Sequence, residues 1–133
     1  PTLEEIEELS NYIAEKLNNT KGPTAFIIPM RGWSAYDQSE ELASKERGWA
    51  KGNGDGPVWE PDEQEPKWSR RATLMRRILK EKFNKDNDNL DLIITDMHII
   101  DPEFGDLLSQ CMSDMLAGKW KKGMYRDVPG VIE

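Results

Sequence analysis

Two short stretches carry the residues that could do chemistry. The first, Pro29-Met30-Arg31-Gly32-Trp33-Ser34-Ala35-Tyr36-Asp37, places a guanidinium, a hydroxyl and a carboxylate close together. Arg31 suits a carboxylate or phosphate, which its planar fork can grip through two parallel hydrogen bonds. Gly32 lets the backbone turn, or approach a ligand closely. A nucleophile elbow needs Gly-x-Ser-x-Gly, and Tyr36 stands where the second glycine belongs. The plainer reading is that Ser34 and Asp37 cap a short helix. The second stretch holds Asp96, His98, Asp101 and Glu103, and His98 is the one histidine of the chain. Asp96 and His98 share a face if the strand persists. Such a set could bind a divalent metal or move a proton. The plainer reading is again structural. Asp101-Pro102-Glu103 supplies a cap, a proline at the first helical position and an acid facing the helix dipole.

The elements that must position these residues follow from periodicity. Thr2 and Glu5 make a capping box, and Leu3, Ile6, Leu9, Ile13 and Leu17 recur at helical spacing. They predict a helix over 3–17. Thr24 to Ile28 is a short apolar run ended by Pro29, which cannot donate to a ladder. A second run, within Leu90 to Met97, ends in the polar corner. Nearly continuous apolar runs of this kind favour strands covered on both faces of a parallel sheet.

Between them, Glu65-Pro66 is a helix start with proline in first position. Trp68, Ala72, Met75, Leu79 and Phe83 form its inner stripe, widened by Leu74 and Ile78. Its Arg and Lys residues read as a solvated face. Gln38 to Glu65 is irregular, with four glycines between Gly48 and Pro57 and Trp49 and Trp59 on either side. Glu40 to Lys45 could add a turn or two of helix. A last helix runs from Pro102 to Gly118, with Phe104, Leu107, Leu108, Cys111, Met112 and Met115 as its apolar stripe. Cys111 falls in that stripe and reads as a core thiol.

The order α-β-loop-α-β-α predicts an α/β fold, a Rossmann-like layered parallel sheet flanked by helices. Residues 1–118 make the α/β domain, as a fragment of a larger C-terminal domain, and residues 119–133 an irregular tail. Two strands are too few for a stable sheet. Either the loop and tail supply more, or the remainder comes from upstream or from a partner. The chain is therefore expected to self-associate, through an interface above roughly 1,000 Å².

The 133 residues carry a net charge of −7, with 37% hydrophobic and 32% charged side chains. That charge argues against a general nucleic-acid binder and against an anionic membrane surface. No apolar run approaches the roughly 20 residues of a membrane span. One cysteine cannot form an internal disulfide, which suits a reducing, cytoplasmic setting.

Taken together, three motifs resemble the family of the tomato mosaic virus resistance protein, a resistance-protein-like ATP-binding family. They are Gly32-Trp33-Ser34-Ala35-Tyr36-Asp37, Trp59-Glu60-Pro61-Asp62, and His98-Ile99-Ile100-Asp101-Pro102-Glu103-Phe104. The match covers residues 3–117 in order. Ile100 stands where the family usually has Asn, and the loop between the first two motifs is longer here. The resemblance implies the later part of the second domain of a two-domain α/β protein, with a missing N-terminal domain as partner. Through it alone, a nucleotide with a divalent metal becomes a candidate ligand, although no Gly-x-Gly-x-x-Gly or P-loop is present.

The expected function is one wall of a ligand cleft, for a nucleotide or small anion, in a larger intracellular protein. Its ligand-binding residues are Arg31, Gly32, Ser34, Asp37, His98 and Asp101, with no metal ligands assigned. The alternatives are a hydrolase or transferase using Ser34, Asp37 and His98, and a purely structural oligomerisation module.

Overall fold

The computed structural model describes residues 1–34 and 60–133. Asp37, Trp49, Trp59, the Gly48–Pro57 stretch and the turns expected over Glu40–Lys45 lie outside the described residues.

Helix α1 spans Leu3–Asn18. The capping box forms as the sequence requires: the Glu5 amide donates to Thr2 Oγ1 at 3.2 Å, and the Thr2 amide donates to Glu5 Oε2 at 2.8 Å. The buried line differs from the leucine stripe. Ile6, Ser10 and Ala14 are buried, whereas Leu9 is 45% exposed. Small residues at Ser10 and Ala14 fit where α1 faces another helix. Ser10 Oγ is satisfied within the helix, donating to the Ile6 carbonyl at 2.6 Å.

Strand β1 spans Thr24–Pro29 and pairs in parallel with β2, Leu90–Thr95, with Thr24 opposite Leu90 and Pro29 opposite Thr95. Helix α2 spans Arg70–Lys82 and begins later than the proline suggests. Pro66 instead sits second in a turn closed by the Trp68 amide on the Glu65 carbonyl at 2.9 Å, a position its fixed φ suits. Residues 60–69 form a narrow hairpin, held by the Pro61–Ser69 bridge and by the Asp62 amide on the Trp68 carbonyl.

Helix α3 spans Pro102–Leu116. It ends as Gly118 predicts: φ is +67° there, its amide reaches Met115, and the Lys119 amide reaches the Asp114 carbonyl at 2.8 Å. That pair of bonds is a Schellman closure.

The even residues of both strands face α1 and α2, in a core of Ile6, Ala14, Ile28, Met30, Ala72, Met75, Leu79, Leu90 and Ile94. The odd residues face α3 and the tail, where Ile93 meets Leu107, Cys111, Trp120 and Tyr125. The layering is therefore helix–sheet–helix, an α/β fold. The stripe of α3 is narrower than its spacing suggests: Phe104, Leu107 and Cys111 are buried, but Leu108 and Met112 are exposed.

Residues 119–133 form turns rather than helix or strand, yet they are built into the core. Val131 bridges Thr95 in antiparallel fashion. The Ile132 amide donates to the Ile94 carbonyl at 2.7 Å, and the Asp96 amide to the Gly130 carbonyl at 2.7 Å. The tail thus covers the edge of β2 that β1 leaves open. Asp91, 1% exposed, anchors it by accepting from the Gly123 amide at 2.9 Å and pairing with Arg126. Tyr125 Oη donates to Asp114 Oδ2 at 2.8 Å. Trp120→Ala is therefore expected to cost about 3–5 kcal/mol, as for a large aromatic removed from a core. Urea unfolding checks this; a loss below about 1 kcal/mol would show the tail to be an appendage.

Candidate functional site

The sequence brings the two chemical stretches to one place because parallel strands in register end together. The pairing runs on past the strands themselves. The Met30 amide donates to the Thr95 carbonyl at 3.0 Å, the Arg31 amide to Met97 at 2.9 Å, and the Ile99 amide to the Gly32 carbonyl at 3.0 Å. Gly32 has φ +135°, backbone that a side chain would strain. The corners of Gly32 and His98 are in direct contact at the carboxyl edge of the sheet.

Asp96 is the hub of this edge. Arg31 donates to it twice, from Nε and Nη2, at 2.9 Å each. Trp68 Nε1 donates to the same carboxylate at 2.9 Å. The Arg31 hydrogen bonds hold the Asp96 carboxyl below its usual range; partial burial opposes that and the Trp68 bond adds to it. The same hydrogen bonds push Arg31 further up. Beside them, the Ser69 amide donates to the Met30 carbonyl at 2.7 Å, which ties the start of α2 to the exit of β1.

His98 lies inside the corner at 0% exposure. Its Nδ1 accepts from the Ile100 amide at 3.2 Å, so that nitrogen carries no proton and the ring proton sits on Nε2. The His98 amide donates to Asp101 Oδ2 at 2.7 Å, and the Asp101 amide returns to the His98 carbonyl at 2.9 Å. Asp101 is the N-cap of α3, yet its carboxylate makes no bond to that helix and closes the corner instead. The strand ends at Thr95, so Asp96 and His98 do not share a face: Asp96 is half-buried and His98 fully so. Ser34 is exposed beside the corner. Glu103 is exposed in the first turn of α3. Among the described residues no three His, Cys, Asp or Glu side chains converge as metal ligands. Burial pushes the Cys111 thiol up, as suits a core residue.

Sequence reasoning gave Trp68 to the core of α2 and named Asp96 without its partners. The missed signal was Asp62 with Pro66. Asp62 Oδ2 accepts from the amides of Gln64 and Glu65 at 3.0 Å each, which makes a turn where a helix start was expected. A cavity of about 280 Å³ lies elsewhere, along the outer edge of β2 between Phe83, Leu90, Leu92, Lys122 and Arg126. It is floored by apolar side chains, and its Arg126 is already paired with Asp91.

The fold is thus that of a layered α/β domain with the Arg31–Asp96 pair at the carboxyl edge of its sheet. Residues 1–50 match the family model described as "Uncharacterised protein family (UPF0261) C-terminal domain". No curated protein matches the chain. No described helix is long and apolar enough to cross a membrane.

Asp96→Ala should destabilise the fold by about 1.5–3 kcal/mol, the range for hydrogen bonds to a charged group, with the lower half favoured because the pair is partly solvated. The pH dependence has a definite sign. Asp96 titrates lower in the folded state than in the unfolded one. Its stabilisation is therefore complete above the ordinary carboxylate range and is lost as pH falls through the depressed folded value. Urea midpoints from pH 6 to pH 2 should fall less steeply in Asp96→Asn than in the parent protein.

Proposed function

We propose that the carboxyl edge of the β1–β2 pair is one wall of a ligand cleft, and that the ligand carries an anionic group such as a phosphate. The observation that carries this reading is where the two connections leave the sheet. The chain leaves β1 towards α2 on one face and leaves β2 towards α3 on the other. Adjacent parallel strands whose connections part to opposite faces open a crevice between their carboxyl ends, which is where such sheets bind ligands. Here that crevice is flanked by Arg31, Gly32, Ser34 and Asp101.

Arg31 spends Nε and Nη2 on Asp96, which orients Nη1 as the donor for an incoming anion. Ser34 adds a hydroxyl at the rim, and Asp37 follows it in sequence. His98 and Asp101 hold the floor in shape from behind. The opposite wall belongs to another domain of the same intracellular protein, or to a second copy. A nucleotide with its divalent metal is the ligand that the family resemblance favours; a small anion is the simpler one.

A hydrolase or transferase built on Ser34, Asp37 and His98 is the second reading. The burial of His98 speaks against it, because a general base must come within about 3 Å of the proton it takes.

Titration of the full-length protein with inorganic phosphate and with ATP–magnesium, followed by amide shifts, tests the proposal. Gly32 and Ile99 should move first. Ser34→Ala should weaken binding about 2–10-fold, the worth of one hydroxyl hydrogen bond. Arg31→Lys should weaken it more, because an ammonium cannot hold Asp96 with two bonds and still present a third donor. Shifts confined to residues far from both corners would sink the proposal. A turnover abolished by Ser34→Ala in a folded protein would establish the enzyme reading instead.

A further inference from the structure

The outer edge of β1 has the makings of an interior sheet position. In a parallel ladder both backbone groups of a residue point the same way, and alternate residues point to opposite sides. The Thr24 amide donates to the Asn89 carbonyl and the Met30 amide to the Thr95 carbonyl, so the even residues of β1 face β2. Ala25 and Ile27 therefore direct their N–H and C=O groups outwards, and among the described residues the sheet ends there at two strands. Long apolar edges of this kind are ordinarily paired, or guarded by charge or proline, and β1 has a proline only at its last position, Pro29. β1, Thr-Ala-Phe-Ile-Ile-Pro, carries no charge at all.

Both helical layers also leave apolar side chains exposed on the corresponding flanks. On α3, Asp114 holds the tail through Tyr125, and the tail covers the β2 side. At roughly 100° per residue, Leu108 and Met112 lie about 120–160° around the helix from Asp114, on the side that overhangs β1. They are 45% and 57% exposed. On α1, Asn18 bonds to the Lys82 carbonyl and the Asn84 amide at the end of α2, which marks the flank facing α2. Leu9 lies on the other flank and is 45% exposed.

We infer that β1 is an interior strand of the complete protein, and that its outer neighbour is a parallel strand preceding α1 in the same chain. Handedness selects this occupant. Parallel crossovers are right-handed in almost all cases, so crossovers on one face always step in the same direction. Helix α2 carries the step from β1 to β2, and α1 packs on the same face. A strand that enters β1 through α1 must make the same step and so lands on the side of β1 away from β2, where no described residue pairs with Ala25 and Ile27. A second copy fits less well. Two-fold pairing of β1 on β1 is antiparallel, and it would bring together two α1 helices that each carry Glu4, Glu5, Glu7, Glu8 and Glu15 against a single Lys16.

Amide exchange and cross-strand NOE measurements on the full-length protein decide the matter. The Ala25 and Ile27 amides should exchange within about tenfold of Phe26 and Ile28, as partners in one cooperative sheet do. Their NOE contacts should run to residues upstream of α1. Exchange of Ala25 and Ile27 faster than that of their neighbours by about 100-fold or more would overturn the inference. So would NOE contacts to residues downstream of β1, or protection that appears only on dimerisation.

Discussion

The carboxylate of Asp96 joins three parts of the chain that no local rule would bring together. It receives the guanidinium that leaves β1, the indole that ends the hairpin before α2, and it stands itself at the end of β2. A charge-assisted, bidentate pair fixes geometry as well as adding energy, and the indole N–H adds a third direction. Because Arg31 and Asp96 are only partly buried, neither bears the full desolvation cost of an interior ion pair. The pair can therefore hold the carboxyl edge in shape while both side chains stay partly hydrated. Register provides the rest: with Pro29 opposite Thr95, Arg31 and Asp96 leave their strands at the same level.

The other face rests on a different acid. Asp91 points among the odd residues, where an unpaired carboxylate would be costly. The Gly123 amide and Arg126 satisfy it, and both belong to the tail. The tail is thereby committed to one path, which carries Trp120 and Tyr125 under α3 and ends in the antiparallel pairing with Ile94 and Asp96. One buried charge thus converts a stretch without periodicity into part of the sheet and its cover.

What was legible in the sequence was what depends on neighbours along the chain. The capping box at Thr2, the end of β1 at Pro29 and the glycine closure at Gly118 follow from local chemistry, and the parallel pair is suggested by two nearly continuous apolar runs. What was not legible depends on distant partners. Pro66 reads equally as a first helical residue or as the second residue of a turn, and the choice is made by Asp62 and by the contact of Ser69 with Met30. Leu9, Leu108 and Met112 have the spacing of core residues, but spacing does not reveal whether a neighbour is present to cover them. His98 looked like a reactive group because histidine often is; its acceptance of the Ile100 amide is a matter of corner geometry that spacing does not encode. The residues that meet at the carboxyl edge were recognisable as a group because parallel strands end together, whereas the link through Trp68 was not.

The contact between Gly32 and Ile99 sets how the edge could work. It ties the two corners together, so on the proposed reading a ligand sits above this bond rather than between the strands. On that reading its polar anchors are the guanidinium of Arg31 and the hydroxyl of Ser34. Both come from the β1 corner, and the β2 corner offers mainly the exposed apolar side chains of Ile99 and Ile100. On the proposed reading, polar donors on one lip and isoleucines on the other suit a ligand with an anionic end and an apolar or aromatic body. Such a ligand would leave part of its surface uncovered on this chain alone, and pockets that bind such molecules bury most of them. On the proposed reading the remaining cover comes from outside these elements, from another domain or a second copy.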